Sequence, residues 1–254
     1  MALRQAKIIT VTSVKGGSGK TTLALNLAGL LSLEKKKVLV LDADLYGNAI
    51  ALSTKADADR TLFTLVDDLK NNRFTSDQDY ITKYNEYLSI LPAPKDPRQA
   101  NKIGSKYLNI VLSKLKPRYD YIIIDTNNTL DDFNLVAIDN SDEVLYVITN
   151  DPVDLKNMRT VVSIFTDIEK ENYKIILNEA TSTTRNYLTN YDIKHMIHAN
   201  IDYIIPSSFT IKNIDNYVLE GKILTLDNKI RARYKKGITA LEKIKDSILK
   251  KEEE

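Results

Sequence analysis

The chain of 254 residues has no cysteine, only eight glycines and six prolines, and no long apolar run. Without a thiol there are no disulfides, no cysteine nucleophiles and no thiolate-held clusters. That suits a reducing cytosol, and a cytoplasmic location is expected. No Ser/Pro/Gly-rich stretch interrupts the sequence. Residues 1–254 are therefore expected to form one domain without a linker. Charge of one sign is also missing: the formal net charge is +2, so overall charge names no partner. No apolar stretch approaches the roughly 18 residues that span a bilayer. The N-terminal apolar run, 8–11, is too short for a signal peptide and soon reaches Lys15. His195 and His198 stand three apart, but no carboxylate at matching spacing completes a metal site, and they read as surface residues.

What is present is a regular alternation. Hydrophobic residues make up 43% of the chain, enough for a sizeable core. Short β-branched runs at 8–12, 38–41, 88–91, 121–124, 144–148, 174–177 and 203–205 predict strands, several of them apolar throughout and so buried on both faces. Between them lie helical patterns, the first marked by Leu23, Leu27, Leu30 and Leu31. Strand–helix alternation predicts an α/β fold, a mostly parallel twisted sheet with helices on both faces in three layers. Ligands of such sheets bind at the carboxyl ends of the strands.

Directly after the first strand comes Lys15-Gly16-Gly17-Ser18-Gly19-Lys20-Thr21-Thr22, and the Leu-rich helix follows at once. The simple phosphate-loop pattern G-x-x-x-x-G-K-[ST] requires glycine where this chain has Val14. The chemistry of a phosphate cradle is nevertheless complete. Gly16, Gly17 and Gly19 allow backbone N–H groups to turn inward around an anion, and the helix N-terminus adds its dipole. Lys20 is placed for the β- and γ-phosphates, and the Thr21 hydroxyl for Mg²⁺. The bland alternative is a glycine turn carrying two solvated lysines.

Two further strand ends carry acid. The second is followed by Asp42-Ala43-Asp44-Leu45-Tyr46-Gly47-Asn48, and two carboxylates at i and i+2 can face the same way there. The fourth runs Ile122-Ile123-Ile124-Asp125, the pattern of a Walker B strand whose Asp holds Mg²⁺ through water.

The loop with its leading lysine resembles the deviant Walker A motif of the ParA/MinD family of P-loop ATPases. The likeness extends over almost the whole chain. It implies that ATP with Mg²⁺ binds across the loop from Gly16 to Thr22, Ser18 included. It also implies that Lys15 reaches the nucleotide of a second copy, that Thr21, Asp42 and Asp125 serve the metal, and that Asp44 orients the attacking water. Asn178, at the end of 175–178, resembles the family's adenine-reading Asn, and Pro206 the proline of its base-lining segment, with Gly221 following. Two departures stand out. The family's partition proteins usually carry Pro-Gln where this chain has Leu45-Tyr46, and Pro or Pro-Pro where it has Asn127-Asn128. Loss of the prolines predicts a more flexible second switch. A finer likeness, in Leu91-Pro92-Ala93-Pro94 and Leu155-Lys156-Asn157, is to the CpaE/TadZ branch that localises pilus secretion machinery.

The resemblance implies a slow, partner-stimulated ATPase that dimerises with ATP and positions or partitions cargo. The alternative is a nucleotide-binding scaffold with little turnover that localises a secretion or pilus system. From 229 to 251 the chain carries nine Lys/Arg against two acids, with Arg231, Arg233, Lys235 and Lys236 densest. Tyr234, Ile238, Leu241, Ile244 and Ile248 predict that the opposite helix face packs on the sheet. The family's partition ATPases hold DNA without sequence preference on such a surface; a solvated lysine-rich helix is the other reading. The acidic end, 252–254, is a poor anchor for an anionic leaflet, so no direct membrane anchor is expected.

Overall fold

The computed structural model describes residues 5–57, 59–181 and 188–250; the readings of residues 1–4 and of the acidic cluster 252–254 lie outside these. Eight strands form one sheet: β1 Lys7–Thr12, β2 Val38–Asp42, β3 Thr82–Lys83, β4 Leu88–Leu91, β5 Tyr121–Asp125, β6 Glu143–Ile148, β7 Tyr173–Asn178 and β8 Tyr203–Ile205. Their order is β3-β4-β2-β5-β1-β6-β7-β8, and every pairing is parallel except β3 with β4. All seven predicted strands are present. The two-residue β3 was not predicted: it is polar, lies on an edge and has too few residues to show a period.

The apolar runs are apolar because the strands are covered twice. Alternate side chains of one strand enter opposite cores. Ile9, Val40 and Ile123 face the layer made by the helices Lys20–Leu33 and Lys235–Lys250. Ile8, Leu41 and Ile124 face the layer made by Leu62–Lys70, Lys106–Leu115 and Asp132–Asp139. A third cluster packs Pro152–Asp167 and Asn190–Ile197 against β6 and β7.

The helix Lys20–Leu33 is buried all round from residue 23 to residue 32, beyond the single leucine stripe. It lies between the sheet and the segment 223–226. Gly29 makes that approach possible, since a Cβ there would stand 2.9 Å from Ile223 Cγ2. Thr225 locks the contact, donating from its backbone N–H to Asn26 Oδ1 and from its hydroxyl to Asn26 O, both at 2.9 Å. The basic C-terminal region forms two helices, Asn228–Arg233 and Lys235–Lys250, with Tyr234 between them. Ile238, Leu241, Ile244 and Ile248 enter the core as their spacing predicts.

Register sets up the site. Asp42 lies opposite Asp125, and Val11 opposite Asp125 on the other side. The carboxyl ends of β2, β5 and β1 therefore finish at one level, with the glycine loop directly above β1.

Candidate functional site

The loop from Ser13 to Gly19 turns back through two left-handed residues, Gly17 at φ 76° and Gly19 at φ 97°, conformations that an L side chain resists. Gly19 stands at the start of the helix Lys20–Leu33 and offers no side-chain cap, so the first-turn N–H groups are left for a ligand. Nothing lies within 4 Å of where a Cβ on Gly17 would be. Ser18 is buried with its Oγ unpartnered, while its carbonyl accepts from Asn178 Nδ2 at 2.9 Å. That bond ties the end of β7 to the loop.

Below the loop the acids meet. The Thr21 hydroxyl donates to Asp125 Oδ2 at 2.6 Å. Asp42 Oδ1 accepts from the Asp44 N–H at 3.1 Å. Asp42 and Asp125 are both buried, and each has one carboxylate oxygen, Asp42 Oδ2 and Asp125 Oδ1, without a hydrogen-bond partner. Burial, then the neighbouring charges of Asp125 and Asp44, pushes the Asp42 carboxyl well above its usual range. Burial raises Asp125 to about 7 against the pull of Thr21 and Lys20. Lys20 is lowered by burial, and Asp125, Asp44 and Asp154 oppose that shift. Two buried carboxylates that resist ionisation together, each with an orphaned oxygen, form a site that a cation would relieve. No group of three or more acidic or histidine side chains among the described residues is arranged to hold a metal ion by itself. Mg²⁺ does not need one, because it takes one or two carboxylates and fills its shell with waters and phosphate oxygens.

The loops beyond the two acids are held in different ways. In the first, Leu45 is buried in the core and Tyr46 is 54% exposed, its hydroxyl donating to Asn101 Oδ1 at 2.7 Å. The Gly47 N–H donates to Asp44 Oδ1 at 3.1 Å, and a Cβ on Gly47 would stand 2.7 Å from Asp44 Cγ. In the second loop, Asn127 Oδ1 accepts from Thr129 N at 2.8 Å, from Thr129 Oγ1 at 2.7 Å and from Asn134 Nδ2 at 2.5 Å. Asp131 closes the net through Asn134 N at 2.9 Å and Asn127 Nδ2 at 3.3 Å. Hydrogen bonds thus tie this segment together where proline would have restricted φ. The signal was in the sequence, as Asn127-x-Thr129-x-Asp131 in front of a helix is an Asx/N-cap pattern.

Lys15 leads the loop and pairs with Asp151 Oδ2 of the same chain at 2.7 Å, the two side chains 41% and 37% exposed. This bond, first among its causes, holds the Asp151 carboxyl below its usual range. Asp151 also caps the helix Pro152–Asp167, accepting from Val153 N at 2.9 Å and Asp154 N at 3.2 Å. The sequence reading missed Asp151, a partner 136 residues away that no local pattern marks.

A hollow of about 310 Å³ opens beside Gly19 and Thr22, lined also by Leu23, Asn26, Asn178 and Phe209. Asn178 is thus at a base-sized pocket, with its Oδ1 accepting from Ala180 N at 3.1 Å. Pro206 does not line it, whereas its neighbour Ile205 does. A larger hollow of about 650 Å³ includes Lys37, Asp77, Lys83 and Arg118 and touches none of the loop residues. Of the basic set, Arg233, Lys235 and Lys236 are exposed, while Arg231 reaches Glu242 at 3.4 Å. No helix among the described residues is long and apolar enough to cross a membrane.

With the geometry in place, comparison with known proteins is informative. The AAA domain family model matches residues 6–178. The septum site-determining protein MinD of Thermotoga maritima is 28% identical over 208 residues, 79% of this chain and 75% of that one. The chromosome partitioning protein ParA of Myxococcus xanthus is 35% identical over 146 residues, 55% of this chain and 50% of that one. Among solved structures, MinD from Pyrococcus horikoshii, complexed with Mg-ADP, has a TM-score of 0.77 at 25% identity, covering 96% of each chain. A ParA family ATPase from Chlorobium tepidum reaches 0.79 over 94% of this chain and 98% of that one; at 19% identity that likeness concerns the fold alone.

Proposed function

Since the chain belongs to the ParA/MinD family of P-loop ATPases, we propose that it is a switch: it binds ATP with Mg²⁺, dimerises around the nucleotide, hydrolyses it slowly, and in doing so positions or partitions cargo. One observation carries the reading. The Thr21 hydroxyl, bonded to Asp125, and the buried Asp42 meet under the glycine loop with two carboxylate oxygens unsatisfied.

Thr21, Asp42 and Asp125 are the residues that would hold Mg²⁺, directly or through water. When bound, the metal supplies positive charge to the phosphates and to the two carboxylates. The rest falls to the chain. The N–H groups from Gly16 to Thr22 cradle the phosphates, and Lys20 neutralises them from within the fold. Asp44, clasped by Gly47, accepts a hydrogen bond from the attacking water and orients it. Lys15 leaves Asp151 for the nucleotide of a second copy, adding a cation where charge builds on the transferred phosphoryl group. Asn178 and the hollow beside it take the base. Surfaces that exist only in the dimer then engage a stimulating protein and, through Arg233, Lys235 and Lys236 with Arg231, DNA without sequence preference. No direct membrane anchor is part of this reading, which places the protein in the cytoplasm.

The test is dimer trapping. With ATP and Mg²⁺, Asp44→Ala is expected to accumulate as a dimer by light scattering. Lys15→Gln is expected to bind nucleotide yet stay monomeric. An Asp44→Ala protein that remains monomeric at saturating ATP would remove the switch.

A further inference from the structure

The larger hollow, of about 650 Å³, lies at the end of the sheet away from the glycine loop. Lys37 and Tyr87 immediately precede β2 and β4, and Tyr119 stands two residues before β5, so these walls sit at the amino ends of the strands. The five residues of β2 put roughly 17 Å between this end and Asp42. The sheet fixes the walls. Lys37 donates its N–H to Asp120 Oδ2 at 2.8 Å, and its carbonyl accepts from Asp120 N and Tyr121 N at 2.8 and 3.2 Å. Lys83 is held opposite Ser89 in the β3–β4 pair. The turn of that hairpin is clasped by Asn85 Oδ1, which accepts from Tyr87 N and Leu88 N at 2.9 and 2.8 Å.

Charge in the hollow is unbalanced. Four cations, Lys37, Arg60, Lys83 and Arg118, meet two acids, Asp77 and Glu86. Both acids are already engaged: the buried Asp77 pairs with Arg118, and Glu86 accepts from the Tyr87 hydroxyl. Arg60 turns to Asp57, outside the hollow, at 3.4 Å. That leaves Lys37 and Lys83, neither of which has an ion pair among the described residues. Only β4 separates β2 from β3, so the two backbones are about 10 Å apart and both ammonium groups can reach one ligand. Beside them stand the half-buried Tyr87 and Tyr119 and the exposed Gln78, whose side-chain amide makes no hydrogen bond among the described residues. Two free cations favour a dianion, the rings favour a flat body, and a free amide can donate to and accept from a polar edge.

We propose that this hollow is a second ligand site, for a nucleoside monophosphate. Lys37 and Lys83 take the phosphate, the base lies against Tyr87 and Tyr119, and Gln78 reads its edge. The volume falls within the range of small-molecule pockets, whereas a protein partner calls for a broader face. The inference is independent of the ATPase reading, since no glycine-loop residue lines the hollow.

The experiment is calorimetric titration of the full chain with AMP, GMP, CMP, UMP and inorganic phosphate, after Mg²⁺ and AMPPNP have been added to fill the glycine loop. At least one nucleotide is expected to bind with a Kd of about 100 μM or tighter, and inorganic phosphate at least about tenfold more weakly. Lys37→Glu with Lys83→Glu is expected to weaken that nucleotide about a hundredfold. Both lysines are exposed, and unchanged AMPPNP binding shows that the double variant is folded. Tyr87→Ala is expected to weaken the nucleotide about tenfold and leave phosphate as it was. The assignment fails if no monophosphate binds, if phosphate alone binds as tightly, or if the charge-reversed variant binds like wild type; the ATPase reading survives each of these. A glutamate-rich peptide that binds where every nucleotide fails would give the hollow to a protein partner instead. A chain that takes a monophosphate here but no AMPPNP would overturn the ATPase reading and keep this one.

Discussion

Two loops leave neighbouring strands at the same level, each behind a buried aspartate, and they are held by opposite means. The loop after Asp42 is anchored by an apolar side chain, Leu45, sunk into the core, while Asp44, the acid proposed to orient water, is gripped by the Gly47 N–H. The loop after Asp125 sends no apolar anchor from residues 126–131; Asn127, Thr129, Asp131 and Asn134 bond to one another instead. Rigidity can thus be supplied by burial or by a polar net, but the two fail differently. Burial fixes the loop and leaves its acid dependent on one contact, whereas the net spreads the constraint over several bonds.

The sharpest way to separate them is Gly47→Ala. The new Cβ collides with the Asp44 carboxylate, so hydrolysis is expected to fall about a hundredfold while nucleotide affinity holds. Single-turnover rates set beside binding titrations check this. Asn127→Ala should do the reverse. It strips partners from Thr129, Asp131 and the buried Asn134, and about 2 kcal/mol of stability in urea unfolding is expected to go with them. Should the two variants behave alike, the contrast between the loops is wrong.

The acids behind the loops titrate in a way that reports their burial. Asp125 sits at about 7 when folded against an ordinary value of 3.8, so between those values the folded chain binds more protons than the unfolded one. Its contribution is therefore full below the lower value and lost as pH rises through the upper one. The ligand-free protein is expected to melt at progressively lower temperature from about pH 4 to about pH 7, and Asp125→Asn should flatten that slope. The smallest effect belongs to Tyr46→Phe. It removes one exposed hydrogen bond to Asn101 and should cost less than about 1 kcal/mol by the same unfolding assay.

Much of this was legible in the residues. Strands such as β5 announce themselves because a run buried on both faces must be apolar throughout. The phosphate loop is legible because its glycines, lysine and threonine act within a few residues of one another. Asp42 and Asp125 could be placed because a strand's end has a fixed address in a parallel sheet. What escaped was long-range or depended on shape. The Lys15–Asp151 pair, the clasp of Asn178 on Ser18 and the close approach that requires Gly29 all join distant segments. The net in the second loop escaped because the missing proline drew attention to lost constraint, while the bonds that Asn127 makes to Thr129 and Asn134 were not counted.

The bond between Lys15 and Asp151 gives the molecule a resting berth for its leading cation. With both side chains more than a third exposed, such a pair is worth at most about 1 kcal/mol, so ordinary thermal motion opens it often. The helix behind it is indifferent to the departure, because Asp151 Oδ1 keeps the N–H groups of Val153 and Asp154 whether or not Oδ2 is occupied. The lysine can therefore come and go as a tethered visitor, and no part of the fold has to unravel to release it.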